Sequence, residues 1–135
     1  MARRVYEALR FEKSAARQVP PPQRLQAGAW VRWGAYAIAL DPAEEAAGRV
    51  YRFAADALAL PLTVRARREG DSILLRGHHR SIKKWMIEQK IPAHLREAIP
   101  LVCDKKGVVL IAGGPGRDSP AQGTVRLVVR KNDRE

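Results

Sequence analysis

The chain reads as an α+β fold, mainly antiparallel β with two short helices. Three features of the sequence predict it. Apolar residues alternate with period two over several short runs, as in half-buried strands. Those runs are separated by Gly, Pro and Asp turn residues at short intervals. One stretch late in the chain, Ser81–Gln89, changes to helical spacing, with Ile82, Trp85, Met86 and Gln89 at i, i+3, i+4 and i+7.

Taken in order, residues 1–19 carry mixed charge around Val5, Tyr6, Leu9 and Phe11, a spacing that fits a short helix or an edge strand. Pro20, Pro21 and Pro22 break any regular element and form a linker or long turn. Ala29–Leu40 predicts a strand pair. Trp30-Val-Arg-Trp33 is β-favouring, Gly34 supplies a turn, and Tyr36, Ile38 and Leu40 alternate with alanines. Asp41-Pro42 ends the pair, Glu44–Gly48 is a loop or one helical turn, and Val50–Phe53 is a further strand.

Leu62–Arg67 alternates again, with Leu62, Val64 and Ala66 on one face and Thr63, Arg65 and Arg67 on the other. Glu69-Gly70-Asp71 is a turn signal, and Ser72–Leu75 is read as the return strand of a hairpin with a basic face. Ser81 is placed to cap the helix that follows, whose first turn holds Lys83 and Lys84. Cations there oppose the helix dipole, which suits a nearby anion. Pro92 opens a second short helix through Leu95, Arg96 and Ile99. Leu101-Val102 and Val108–Ala112 make a hairpin around Asp104–Gly107, Gly113–Gly123 is a loop, and Thr124–Val129 is a last strand before a polar tail.

The charge balance narrows the partner. Lys and Arg number 25 against 14 Asp and Glu, a formal net charge of +11, which attracts polyanions. Nucleic acid comes first among them and anionic membrane second. No apolar run approaches the ~18 residues of a membrane span, and Met1-Ala-Arg-Arg4 is followed by no apolar stretch of a secretory signal. The expected location is the cytoplasm. The single cysteine, Cys103, excludes an internal disulfide and a multi-cysteine zinc site, and its apolar neighbours predict a buried small hydrophobe. His78 and His79, adjacent in a strand, point to opposite faces and make a poor metal pair. Trp30, Trp33 and Trp85 lie in apolar-patterned segments that predict core packing rather than base stacking. There is no nucleophile–base pair, no paired carboxylates at useful spacing and no metal cluster in the pattern, so no catalytic centre and no cofactor site is predicted within the chain.

The sharpest motif set is Pro61-Leu-Thr-Val-Arg-Ala-Arg-Arg-Glu-Gly-Asp71, then Ser81-Ile-Lys-Lys84, Lys90-Ile-Pro92, Arg96 and Pro100. In that order and spacing it resembles the C-terminal domain of tRNA(Ile)-lysidine synthetase: a Val-Arg-x-Arg strand, a Gly-Asp turn, a Lys-Lys helix and an Ile-Pro-x-x-x-Arg segment. The similarity is strongest over residues 61–114. The division it suggests is a preceding β-rich segment at 1–60, part of the same unit, a tRNA-binding domain at 61–130 and a polar tail at 131–135.

The resemblance implies the β-rich fold that the family shares with the phenylalanyl-tRNA synthetase β chain. It also implies a recognition role, gripping the acceptor stem of tRNA(Ile). The family's ATP-pyrophosphatase domain, which adenylates an anticodon cytidine before lysine attacks, carries a Ser-Gly-Gly-x-Asp-Ser loop. Gly113-Gly-Pro-Gly-Arg-Asp-Ser119 echoes those letters at the wrong spacing and reads as a plain loop, so ATP belongs to a domain not represented in this sequence. Arg65, Arg67, Arg68, Arg80, Lys83, Lys84 and Arg96 are the RNA-contact candidates, because duplex RNA is held mainly through its backbone and shape. The alternative reading is a free-standing basic module for protein interaction or general RNA binding. Asp71, in a turn after glycine, is read as bonding local backbone rather than as a catalytic acid.

Overall fold

The computed structural model describes residues 19–43, 48–118 and 123–131; the expectations for residues 1–18, 44–47, 119–122 and 132–135 lie outside them. The strands are β1 (Gln23–Leu25), β2 (Trp30–Trp33), β3 (Tyr36–Leu40), β4 (Arg49–Phe53), β5 (Leu62–Arg65), β6 (Ser72–Leu75), β7 (His78–Ser81), β8 (Leu101–Asp104), β9 (Gly107–Ile111) and β10 (Val125–Lys131). A seven-residue helix, α1 (Ile82–Glu88), follows β7, and 3-10 turns span Ala55–Ala57 and Ala93–Ala98. Every pairing between these strands is antiparallel.

They stack as three layers. The first sheet has the order β2-β3-β10-β4 and the second β1-β5-β8-β9, while β6 and β7 pair as a separate hairpin. A first core, built around Trp33, Ile38, Phe53, Leu62, Val64, Val102, Leu110 and Leu127, lies between the two sheets. A second core covers the other face of β8 and β9. There Leu101, Cys103, Val108 and Ile111 meet Ile73 of β6 and Ile82 and Met86 of α1. Both faces of β8 and β9 are therefore buried, which is why they read as continuous apolar runs rather than alternating ones. The register shift between Val102 and Cys103 leaves Val109 as an extra residue, and it sends Val109 and Leu110 together into the first core.

The predicted strand pair at Ala29–Leu40, the strand at Val50–Phe53 and the hairpin around Asp104–Gly107 all form. Gly34 turns the first pair with a φ of 57°. β10 continues two residues beyond the predicted Val129. The second helix is a 3-10 segment, with the Leu95 N–H donating to Pro92 O at 2.9 Å.

One predicted pairing does not form. β5 does not make a hairpin with β6. Leu62 and Val64 are wholly buried in the first core, so β5 is an interior strand between β1 and β8. Residues 66–71 carry the chain out to the third layer, where β6 turns back onto β7 instead. Arg76 and Gly77 have φ values of 54° and 80°, a two-residue turn of the mirror-image kind that suits strand twist.

Candidate nucleic-acid interface

The third layer presents most of the predicted cations, and local sequence explains why. Ser81 ends β7 and caps α1: its Oγ accepts from the Lys84 N–H at 3.2 Å. Ile82 and Met86 are wholly buried on the second core and Trp85 is half-buried. With that face inward, Lys83 and Lys84 point to solvent. Arg80, at the end of β7, is exposed and pairs with Glu88 one helix length away. Both partners are about half-exposed, so this pair adds little stability and leaves Arg80 able to exchange it for another anion.

Arg65 takes a different place. Its guanidinium makes two bonds to Asp71, Nη1 to Oδ2 at 2.8 Å and Nη2 to Oδ1 at 3.1 Å, with side-chain exposures of 13% and 14%. Asp71 Oδ2 also accepts the Arg68 N–H at 2.7 Å, and Asp71 O accepts the Ile82 N–H at 3.1 Å. The ion pair thus ties residues 66–71 to the start of α1 and brings exposed Arg68 to the Lys83–Lys84 end of the helix. Burial pushes the Asp71 carboxyl upward, but the Arg65 and Arg68 hydrogen bonds outweigh it and hold the group below the usual carboxylate value. The expected local backbone role of Asp71 is present, with the Arg65 pair added.

The other candidates divide. Arg67 is half-buried just beyond β5, with its Nε enclosed and unbonded. Arg96 is half-buried and donates from Nε to Ile91 O at 3.0 Å. Arg68, Arg80, Lys83 and Lys84 are brought together on one exposed layer, while Arg65 and Arg96 are engaged within the fold.

Two further groups escaped the sequence reading. Arg76, exposed at the tip of the β6–β7 hairpin, is one; the Arg-Gly pair between two alternating runs was its signal. Asp118 is the other. Its two oxygens accept the Arg76 and Gly77 N–H groups, each at 2.8 Å, and its own N–H donates to Leu74 O at 3.0 Å. Those backbone donors lower its carboxyl from the ordinary value. No local sequence signal links Asp118 to a turn 41 residues earlier.

Between the hairpin, α1 and the Gly113–Pro115 loop runs a groove of about 850 Å³, lined among others by Arg49, Arg76, His78, His79, Arg80 and Trp85. Asp118 is the one carboxylate among its lining residues, and it is committed to the hairpin tip. The glycine loop forms the wall of this groove. A Cβ on Gly114 would stand 2.7 Å from Trp85 Cη2, and the Tyr51 hydroxyl donates to Gly114 O at 2.8 Å. The indole therefore packs against a position that only glycine fills. Trp33 is wholly buried, as its pattern predicted, whereas Trp30 is half-buried under the Arg130 guanidinium.

Cys103 is buried in the second core and its thiol is pushed up to about 11 by that burial, which makes it the predicted inert hydrophobe. Among the described residues, no group of three or more His, Cys, Asp or Glu is placed to hold a metal ion, and no helix is long and apolar enough to cross a membrane.

The family model described as the TilS substrate C-terminal domain matches residues 62–128. Among curated proteins, the chain is 41% identical to the tRNA(Ile)-lysidine synthase of Thermotoga maritima over 54 residues, 40% of this chain and 13% of that protein. It is 32% identical to the Staphylococcus aureus N315 enzyme of the same name over 79 residues, 56% of this chain and 17% of that protein. For the Pseudomonas aeruginosa enzyme the figures are 37% over 68 residues, 50% and 15%. The matches thus span less than a fifth of the length of these relatives. A crystal structure of a TilS C-terminal domain superposes with a TM-score of 0.67 at 26% identity, covering 82% of this chain and 98% of that one. That coverage is more than the part from Leu62 onward can supply, so the likeness extends into the segment before it. Family model, relatives and solved structure agree: this chain belongs to the tRNA(Ile)-lysidine synthase family, as a TilS C-terminal domain.

Proposed function

We propose that the chain is a tRNA-docking module of a tRNA(Ile)-lysidine synthase, and that its third layer holds the acceptor stem of tRNA(Ile). One observation carries this reading. Arg68, Arg76, Arg80, Lys83 and Lys84 are all exposed on the layer formed by the 66–71 loop, the β6–β7 hairpin and α1. Rigid strands and a helix fix their spacing, which is what phosphate contacts need in order to position a duplex. Duplex RNA offers its backbone and shape rather than base edges, so such a surface is sufficient without base-specific groups. Arg65 acts in this scheme as a positioning residue, through Asp71 and the start of α1. ATP and lysine chemistry at the anticodon falls to the synthase's catalytic domain.

The test is anisotropy binding of tRNA(Ile) against a DNA duplex of the same length, over a salt series. Neutralising about five phosphates gives a log–log slope near −4.5 on a duplex. Lys83→Ala/Lys84→Ala is expected to weaken binding and bring the slope to about −2.7. Equal affinity for both nucleic acids would leave a general basic surface. Absent binding at physiological salt would favour a protein partner.

A further inference from the structure

A second basic recess lies on the opposite outer layer. It sits at the end of the first sheet, between the β2–β3 turn and the end of β10, with a volume of about 320 Å³. Its lining is Arg32, Arg130, Lys131, Tyr36 and the turn from Gly34 to Ala37, three cations and no acid among the described residues. The register explains the clustering. Arg32 and Arg130 both stand opposite Ala37, on the two strands that flank β3, so they share the outer face across a residue too small to separate them. Lys131 stands opposite Tyr36, with its ammonium 5.6 Å from the ring centre.

Arg32 and Lys131 are exposed, and neither side chain has an ion-pair partner among the described residues. Arg130 is exposed, and its guanidinium carbon lies over the Trp30 ring, 4.6 Å from its centre, an attraction that holds the group over the indole. This charge is unneutralised and gathered around a concavity of about one nucleotide's size. Arg32 and Arg130 stand on the face of the first sheet turned away from the second, whereas Lys131, next to Arg130 on β10, is at the sheet's end, where it and Tyr36 also border a recess lined by Trp85 of α1.

We propose that this recess binds one nucleotide of a single-stranded RNA segment. Its phosphate sits on Arg32 and Lys131, and its base lies on the Arg130 guanidinium. A guanidinium plane is a stacking surface for any base, and unpaired strands leave their bases free to use it. The partner is RNA rather than an acidic protein because the recess combines a planar stacking group with point charges, which a carboxylate side chain does not use.

The proposal stands independently of the duplex-docking reading, and one experiment separates them. The full chain, labelled with nitrogen-15, is titrated with a single-stranded oligouridylate, and the Lys83→Ala/Lys84→Ala variant is run alongside. The expected result is chemical-shift change at the Gly34, Ala35, Ala37 and Lys131 amides in both proteins, with a salt slope of about −0.7 for the one phosphate held on a single strand. Arg32→Gln, at an exposed and unpaired position, is expected to lower the affinity several-fold and make the salt slope shallower than wild type. Arg130→Gln is the second variant, with the Trp30 indole signal reporting whether the stack is lost. Shifts confined to the α1 layer would overturn the proposal. So would an Arg32→Gln affinity equal to wild type, or an oligoglutamate that binds the recess as tightly as the RNA. Loss of tRNA(Ile) binding in Lys83→Ala/Lys84→Ala with the oligouridylate response intact is the pattern expected if both readings hold. No tRNA(Ile) preference in the wild-type chain, with that response present, would sink only the docking reading.

Discussion

Replacing Arg65 by methionine separates a structural arginine from an RNA-binding one. Methionine keeps an unbranched apolar stem but removes both guanidinium bonds to Asp71, at 2.8 and 3.1 Å, and the bond from Nη1 to Ala66 O at 3.0 Å. Asp71 then keeps one donor to its carboxylate, the Arg68 N–H, while its side chain remains 14% exposed. Removing one partner of a buried pair costs about 3–5 kcal/mol, and the remaining donor places this case near 3. For a chain of this length that is a fall in Tm of about 10 °C. The effect depends on pH in a defined sense. Asp71's carboxyl is lowered in the folded state from its ordinary 3.8, so the stabilisation is fully present above about pH 4 and is lost as pH falls below it. The gap between wild type and Arg65→Met in thermal or urea unfolding should therefore be full at pH 7 and shrink in acid. The double variant Arg65→Met/Asp71→Leu should recover part of the loss, since an apolar pair leaves no buried charge behind. A Tm unchanged within ~2 °C, together with a large loss of tRNA affinity, would refute the reasoning and return Arg65 to the phosphate-contacting set.

Four other outcomes are expected. Lys83→Ala/Lys84→Ala should keep the wild-type Tm within the ~0.5 kcal/mol per site typical of surface changes, while tRNA binding weakens; equal affinity would remove α1 from the interface. Asp104→Asn should cost about 3 kcal/mol or more by urea unfolding, because the Asp104 side chain is fully enclosed and holds Arg117 at 2.7 Å together with the Ala59, Lys106 and Gly107 N–H groups. Gly123→Ala should prevent stable folding, since a Cβ there would lie 2.3 Å from the Phe53 carbonyl carbon, a backbone atom that no rotamer change can move; circular dichroism showing a native melt would contradict this. Cys103 should resist a thiol reagent at pH 8 until urea unfolds the chain. Its raised pKa contributes stability that is complete below the ordinary value of 9.0 and is lost as pH rises from there through about 11.

Local pattern carried much of this fold. Period-two runs located β2, β3, β4, β5 and β10, and continuous apolar runs located β8 and β9, because each strand's alternation or burial is written within a few residues. The Ser81 cap and the Ile82, Met86 face located α1 for the same reason. What failed was partner choice. Leu62–Arg67 and Ser72–Leu75 are adjacent in sequence and separated by a turn signal, so proximity favoured a hairpin. The competing term was burial: Leu62 and Val64 are wholly enclosed only if β5 sits between β1 and β8, partners distant in sequence on either side of it. The Arg76-Gly77 turn was legible in principle from its residue types, but the stronger-looking Glu69-Gly70-Asp71 signal masked it.

The candidate interface shows the same limit in its electrostatics. A count of +11 treats every arginine as an outward charge, yet Arg65 and Arg117 are spent inside on Asp71 and Asp104. Those two acids and Asp118 do the tethering. Asp71 fixes the 66–71 loop against α1, Asp104 closes the β8–β9 turn, and Asp118 holds the hairpin tip. Burial works against the first two carboxylates and their hydrogen bonds prevail; at Asp118 the Arg76 and Gly77 amides lead from the start. Acid side chains satisfied by backbone N–H groups project little negative field onto the surface. Among the cations left over, Arg68, Arg76, Arg80, Lys83 and Lys84 on one layer and Arg32, Arg130 and Lys131 on the other therefore face solvent with few competing acids beside them. Sequence counts cannot make that division, because it depends on which arginine reaches which aspartate across 6 residues in one case and 13 in the other.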